Sequence, residues 1–482
     1  AVVAATRSPA TVVWSGQNGT AWDLNTTANW TRGGAADVFV TGDTVRFDHT
    51  ATAPGTVQLT NTMLPAATTV EGAADYQITG PGGIGGGGGL AKSGTGRLTM
   101  LAANRYTGPT TVGGGTLEVA DLSEADEPGP LGAAAAAATH FVLEGGATFR
   151  LTGENAHTNR GLTLGTGGAT VEVTSASGSA VLAGEVTGAG NLVKTGPGAL
   201  ILTHANTYSG GTLIKEGRVQ LGTFEGNNEG VGSGDVTLDG GTLSMADLQI
   251  YNNPSWNLIV PAGSSGRLNA DGRCSLNGSL TGGGMFTFYT AYVRTNLNGN
   301  WSQFTGRILA ITDSDGGEFR VNNTYGYANA ALDLGDKVRA CFVPTVSSGG
   351  ATVAIGELTG SASSTLVGGP TAGRTLTWRI GARNTDATFA GTVGEQSDST
   401  ITALTKTGTG LLDLTGTCNH RGATTVAAGT LRVSGATTAS SVDSRCQFRP
   451  QVSARISSRC ASSASASASP MPPRGGGAKS RR

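Results

Sequence analysis

The sequence predicts an all-β fold: a right-handed parallel β-helix, or β-solenoid, with an amino-terminal cap and a disordered carboxy-terminal tail. Three observations lead there. One segment is written three times at fixed internal spacing, apolar residues alternate with period two inside each copy, and the 482 residues include 78 glycines but only 13% charged residues. A repeat that cannot bury its own apolar face is stable only when stacked on neighbours, which is the logic of a solenoid.

The copies are LAKSGTGRLTMLAANRYTGPTTVGGGTLEV from Leu90, LVKTGPGALILTHANTYSGGTLIKEGRVQL from Leu192 and LTKTGTGLLDLTGTCNHRGATTVAAGTLRV from Leu404. Counting from Lys92, Lys194 and Lys406, glycine recurs two, four, sixteen and twenty-three residues later. These are Gly94, Gly96, Gly108 and Gly115; Gly196, Gly198, Gly210 and Gly217; and Gly408, Gly410, Gly422 and Gly429. Leu98 and Met100, Leu200 and Leu202, and Leu412 and Leu414 are two apart, as are Leu117 and Val119, Val219 and Leu221, and Leu431 and Val433. Side chains two apart share one face of a strand, so each run has one buried face. Each copy reads as three short strands joined by glycine corners, about one coil, paired with its neighbours at roughly 4.8 Å. Coils of roughly 22 residues over about 400 residues give on the order of 18 coils and a rod near 85 Å.

Residues 1–80 read as a cap and first strands. Trp14, Trp22 and Trp30 are spaced eight apart among Asn, Thr and Gly, and an open solenoid end requires apolar residues to plug it. The same rings, with Trp256 and Trp301, are the candidates for carbohydrate stacking. Residues 81–435 read as the β-helix, with clear copies at 90–119, 192–221 and 404–433. The run LGAAAAAATH from Leu131 reads as a brief excursion, and FVLEGGATFRLTG from Phe141 and VTLDGGTLS from Val236 continue the strand-corner-strand grammar. From about 251 to 341 the pattern loosens while aromatic residues accumulate, and an insertion or irregular coils are expected there. Residues 436–482 form a basic, low-complexity tail. From Ser441 onward it holds eight basic residues against Asp443, leaving a net charge of −8 on the rest of the chain. Without periodic apolar residues it is expected to be disordered.

Catalytic constellations are sparse. The histidines His49, His140, His157, His204 and His420 are scattered, and no G-x-S-x-G, H-E-x-x-H or P-loop occurs. Asp313, Asp315 and Glu318 in TDSDGGEF form the densest acidic cluster. An Asp-Gly turn with solvated carboxylates is the plainest account of it; alternate hard oxygen ligands make calcium the candidate metal, and a catalytic pair is the weakest reading. The five cysteines, Cys274, Cys341, Cys418, Cys446 and Cys460, are odd in number and lack C-x-x-C spacing, so neither a disulfide framework nor a zinc site is indicated.

The pattern K-[ST]-G-x-G, then N-x-Y-x-G, then T-x-V/I-x-x-G-x-L/V resembles the autotransporter-associated β-strand repeat of large secreted bacterial surface proteins. The opening WSGQNGTAWDLNTTANW with TGDTVRFD, and HTNRGLTLG from His157, are similar to such proteins as well. The third copy departs from the pattern, with Cys418 at the asparagine offset and His420 at the tyrosine offset. The resemblance implies a β-helical passenger region exported to the cell surface or medium. A chain that begins at Ala1 fits an exported product whose signal peptide has been removed, and self-secretion is not expected because no translocator barrel follows.

The function expected from these residues is that of a secreted or cell-surface structural rod, adhesin-like or matrix-forming, without catalysis and without a cofactor, calcium being the one candidate. The alternative is a polysaccharide-binding protein, or a polysaccharide lyase or hydrolase whose groove is the aromatic-rich stretch from Tyr251 to Trp301. Expected partners are further copies of the chain, extracellular polysaccharide or a cell surface; nucleic acid and a membrane-spanning segment are not expected.

Overall fold

The computed structural model describes residues 7–222, 230–245, 254–270, 274–290, 294–345, 349–369, 373–397 and 399–436, with the backbone of 449–450 and 455–458. The chain winds through roughly 16 turns of a β-solenoid. Short strands with alternating burial form each coil, and outside an amino-terminal hairpin the described strands pair in parallel with the equivalent strand one coil away. Leu90 lies opposite Thr110 and Ala147 opposite Ala169, so a coil takes about 20 to 22 residues.

The coil has three sides. A 10-stranded sheet from Thr11–Trp14 to Val186–Gly188 builds the first, and a 6-stranded sheet from Cys274–Leu276 to Thr392–Glu395 occupies the same place in chain order later on. A 12-stranded sheet from Ala21–Trp22 to Leu280–Gly282 builds the second side. The third begins at Asn155–Thr158 and continues through Ala199–Leu202 and Met285–Thr290. The long strand Ala351–Gly360 bends across the corner between the second and third sides: Ala351 to Ile355 stack under Thr375–Ile380, and Gly360 stacks under Phe389.

Inward residues form columns along the axis. On the second side Leu98, Leu117, Phe149, Val171, Lys194, Ile214 and Leu238 stand in register. All of them are shielded from solvent, and a fully buried Leu, Val, Ile or Phe contributes about 1.5–3 kcal/mol. The core is therefore a line of small layers, each sealed by the next coil.

At the amino-terminal end the parallel rule is broken by a hairpin. Trp30–Arg32 runs antiparallel to Thr11–Trp14 and to Ala35–Asp37, closing that edge of the first sheet. Trp14, Trp22 and Trp30 sit beneath it with Phe39 and Phe47, their ring centroids 5.1 Å apart for Trp14 and Trp30 and 5.2 Å for Trp22 and Trp30. Asp43 ties the lid down: its carboxylate accepts from Arg7 and from the backbone N–H groups of Ala10 and Val40. The Arg7 guanidinium and these N–H groups hold the Asp43 carboxyl below the ordinary range against the opposing effect of burial.

Two sequence expectations need adjusting. Each repeat copy holds four strands instead of three: in the first, Leu90–Lys92, Arg97–Met100, Thr110–Val112 and Thr116–Val119. The third strand stacks on the first and the fourth on the second, so a copy is one full coil plus the start of the next. The strand at Thr110 was hidden because its single inward pair, Thr110 and Val112, follows a proline and lacks a leucine. The brief excursion read for the run from Leu131 is present between Asp121 and His140 and holds a 3-10 turn at Ala138–His140. Most described strands from Leu258–Val260 to Val338–Phe342 keep parallel register with their neighbours, and the irregularity expected there is confined to Tyr327–Leu334, whose pairing with Ala351–Gly360 shifts register between Tyr327 and Ala331. Aromatic residues there enlarge the core: Trp301 lies 5.8 Å from Phe286 and 6.0 Å from Tyr327, centroid to centroid.

The disordered-tail expectation falls mostly outside the described residues. Of that segment, 449–450 and 455–458 add one further rung, on Thr425 and Val426 and on Thr430 to Val433.

Candidate functional site

The repeat is a corner module, and its lysine explains the spacing. In L-x-K the lysine shares the inward parity of the leucine two residues before it, so its stem enters the core column: Lys92 stacks between Val70 and Val112, Lys194 between Val171 and Ile214, Lys406 between Ile380 and Val426. The ammonium group then reaches the corner. Lys194 Nζ donates to the carbonyls of Thr195 (2.7 Å), Gly196 (2.7 Å) and Glu216 (3.3 Å). Lys92 Nζ does the same to Ser93, Gly94 and Gly114, and Lys406 Nζ to Thr407, Gly408 and Ala428. Each cation thus joins the corner of its own coil to that of the next. Burial pulls all three ammonium groups down, Lys194 to about 8.

The glycine at offset twenty-three is fixed by this contact. Gly115, Gly217 and Gly429 adopt φ of 63°, 63° and 70°, a conformation L side chains rarely adopt. A Cβ on Gly217 would stand 2.4 Å from the Gly198 carbonyl oxygen, and one on Gly115 2.8 Å from Lys92 Nζ.

The N-x-Y portion crosses to the opposite side of the coil. Asn206 Oδ1 accepts from Val186 N–H one coil below (2.8 Å), and its Nδ2 donates to the Gly230 carbonyl above (2.7 Å); Asn104 bridges Ile84 and Pro130 in the same way. The tyrosine hydroxyl meets a threonine four residues on: Tyr106 with Thr110 at 2.7 Å and Tyr208 with Thr212 at 2.6 Å. In the third copy His420 Nε2 reaches Thr424 Oγ1 at 2.8 Å, so the ring changes and the contact stays. Cys418 cannot bridge as asparagine does; it stacks on Val393 as a parallel bridge instead.

The copies do not share one corner. The first turns from the first side to the second, whereas the second and third turn from the second side to the third. A module held together by its own lysine and glycines is portable between corners.

Sequence reasoning missed Arg160, the arginine of HTNRG. It is buried, and its Nη1 donates to the Ala134 carbonyl while Nη2 donates to those of Glu124 and Gly132, all at 2.9 Å. It fastens the 121–140 excursion to the rod by the device the lysines use. The available signal was an arginine two residues before the inward Leu162, at inward parity.

Trp14, Trp22, Trp30, Trp256 and Trp301 lie in the core at 0–7% exposure. Their faces meet other side chains. Asp313 Oδ1 accepts from Asp315 N–H (3.0 Å) and its Oδ2 from the Tyr289 hydroxyl (3.1 Å), while Glu318 turns to Arg320 (2.6 Å) and Arg339 (3.7 Å). The three carboxylates do not converge. Among the described residues no cluster of three or more His, Cys, Asp or Glu side chains could hold a metal ion. Cys274 and Cys341 are buried and Cys418 half-buried; Cys446 and Cys460 lie outside the described residues. No helix among the described residues is long and apolar enough to cross a membrane.

Stacked three-sided coils, locked at their corners by buried lysines, define a repeat-bearing parallel β-solenoid. Residues 90–119, 192–221 and 404–433 match the family described as the passenger-associated-transport-repeat. The chain is 31% identical over 368 residues to the adhesin BmaC autotransporter of Brucella suis biovar 1 (strain 1330), an alignment covering 71% of this chain and 10% of that protein. It spans about a tenth of the length of this relative. No solved structure matches the chain. The chain carries passenger-associated-transport repeats and is similar to a section of this autotransporter.

Proposed function

We propose that this chain is a section of a bacterial surface adhesin, displayed on the cell or released into the medium, whose work is to hold binding surfaces at a distance along a stiff rod. The observation that carries the reading is the unbroken parallel ladder: from Thr116 to Thr281 the second side keeps register through every coil, which gives a rigid, elongated body. The relative with its adhesin name supports the same conclusion. We propose no catalysis by this chain, because its densest acidic cluster is spent on a turn and on ion pairs. Self-association, and contact with extracellular polysaccharide, belong to the same reading, since sheet ends offer unpaired strand edges and the outer faces carry rows of Thr, Ser and Asn.

Grafting residues 7–436 into a surface-display carrier on a non-adherent bacterium tests this. Attachment to host cells or matrix-coated plates above that of the empty carrier is expected. Equal attachment, or reproducible release of reducing ends from a polysaccharide panel, would overturn it.

A further inference from the structure

Most arginines on the rod's outer faces have carboxylate partners, as Arg150 has in Glu118 and Glu172, and Arg307 has in Asp333. Two on the third side do not. Arg218 and Arg267 are exposed, and neither forms an ion pair with a described residue. Register places them in one outward column, in the order Ser179, Ala199, Arg218, Thr242, Arg267. Two rungs separate them, about 9.6 Å. They line a shallow groove of about 510 Å³ that follows the corner between the second and third sides, with small residues for a floor.

The groove has built parts. Arg267 Nε donates to Asn269 Oδ1 at 2.6 Å, and its guanidinium lies 5.8 Å from the Tyr289 ring centroid, so the fork is held in place before any ligand arrives. Asn269 is itself fixed by donating to Ser244 Oγ at 3.0 Å. Thr242 and Ser179 add hydroxyls between and beside the two cations.

We infer that this groove binds an acidic, unbranched polysaccharide, with Arg218 and Arg267 each taking one carboxylate or sulfate. The spacing is comparable with one disaccharide of an extended glycan, so charges on alternate sugars meet both forks, and the hydroxyls and amide suit the sugar ring between them. Planar guanidinium forks recognise such anions in bidentate fashion. The inference rests on reading the chain as an exposed adhesin section, yet its test needs only the purified chain.

The full chain should bind oligogalacturonate, dextran sulfate or both by calorimetry at low salt, and the stronger of the two distinguishes carboxylate from sulfate recognition. The double variant Arg218→Ser/Arg267→Ser should weaken that binding by about tenfold or more, whereas Arg379→Ser, on another side, should not change it. Arg218→Lys/Arg267→Lys, which keeps the charge and loses the fork, should fall between. Unchanged melting of each variant shows that the rod is intact. Binding of neither acidic glycan, equal binding of neutral dextran or single-stranded DNA, or equal loss in Arg379→Ser would overturn the inference, and none of these outcomes bears on attachment of the displayed rod to cells.

Discussion

Replacing Lys194 by Met tests the corner mechanism through the sign of a pH effect. Met matches the stem and keeps the core column filled, but it leaves the carbonyls of Thr195, Gly196 and Glu216 without their shared donor. A buried polar group left unmet costs about 1–3 kcal/mol, and relief from burying a cation offsets part of that, so a net loss of roughly 1–3 kcal/mol is expected at pH 7. The cation's own cost is set by its proton affinity, which falls from 10.5 unfolded to about 8 folded because burial disfavours the charged form. Below pH 8 both states carry the proton and the cost is present in full. Between pH 8 and 10.5 the unfolded chain binds more protons than the folded one, so the lysine-bearing protein gains stability as pH rises, on the order of 3 kcal/mol over the window. The Met variant has no such gain. Its deficit, measured by urea unfolding of both proteins at pH 7 and pH 10, should therefore grow by about 2–3 kcal/mol. A deficit that shrinks with rising pH would mean that Lys194 acts as an ordinary paired cation, and would refute the argument.

Gly217→Ala should lose several kcal/mol, because the φ of 63° is combined with a 2.4 Å approach to the Gly198 carbonyl; Gly146→Ala, with φ of 73° but nothing near its Cβ, should lose about 1 kcal/mol, and thermal melts compare the two. Leu202→Asp buries an unpaired carboxylate at a fully shielded position and should cost about 3 kcal/mol or more, read as a lowered denaturant midpoint. Asn206→Ala removes the bridge between Val186 N–H and the Gly230 carbonyl and should cost about 2 kcal/mol, with faster amide exchange at Val186 as its local sign. Tyr208→Phe loses only the hydroxyl contact to Thr212 and should cost about 1 kcal/mol.

The repeat made the architecture readable because its glycines and alternating leucines are local consequences of corners and one-sided strands. The tryptophans at 14, 22 and 30 were readable as a plug for the same reason: an open end must be filled. Other features depend on neighbours that a linear pattern does not carry. A lysine counts as polar in any alternation, yet Lys92, Lys194 and Lys406 all sit at inward parity, since a four-carbon stem can fill a column while its head finds carbonyls at the corner. The third of the four strands in each copy and the change of corner between copies follow from coil closure, to which Thr110 and Val112 contribute too few apolar atoms to announce themselves. The candidate groove was less legible still. Arg218 and Arg267 are separated by two whole coils of sequence, and only the register between Arg218, Thr242 and Arg267 brings them into one column.

A distance measured along the axis tests the stacked solenoid most directly. Thr116 and Thr281 face outward in one column of the second side, seven rungs apart, so spin labels at Thr116→Cys and Thr281→Cys, in a chain whose native cysteines are replaced, should lie about 34 Å apart before allowance for the label arms. A single narrow distribution by pulsed dipolar spectroscopy near that distance is the predicted result. A broad distribution, or one centred near 20 Å or below, would contradict a continuous parallel stack.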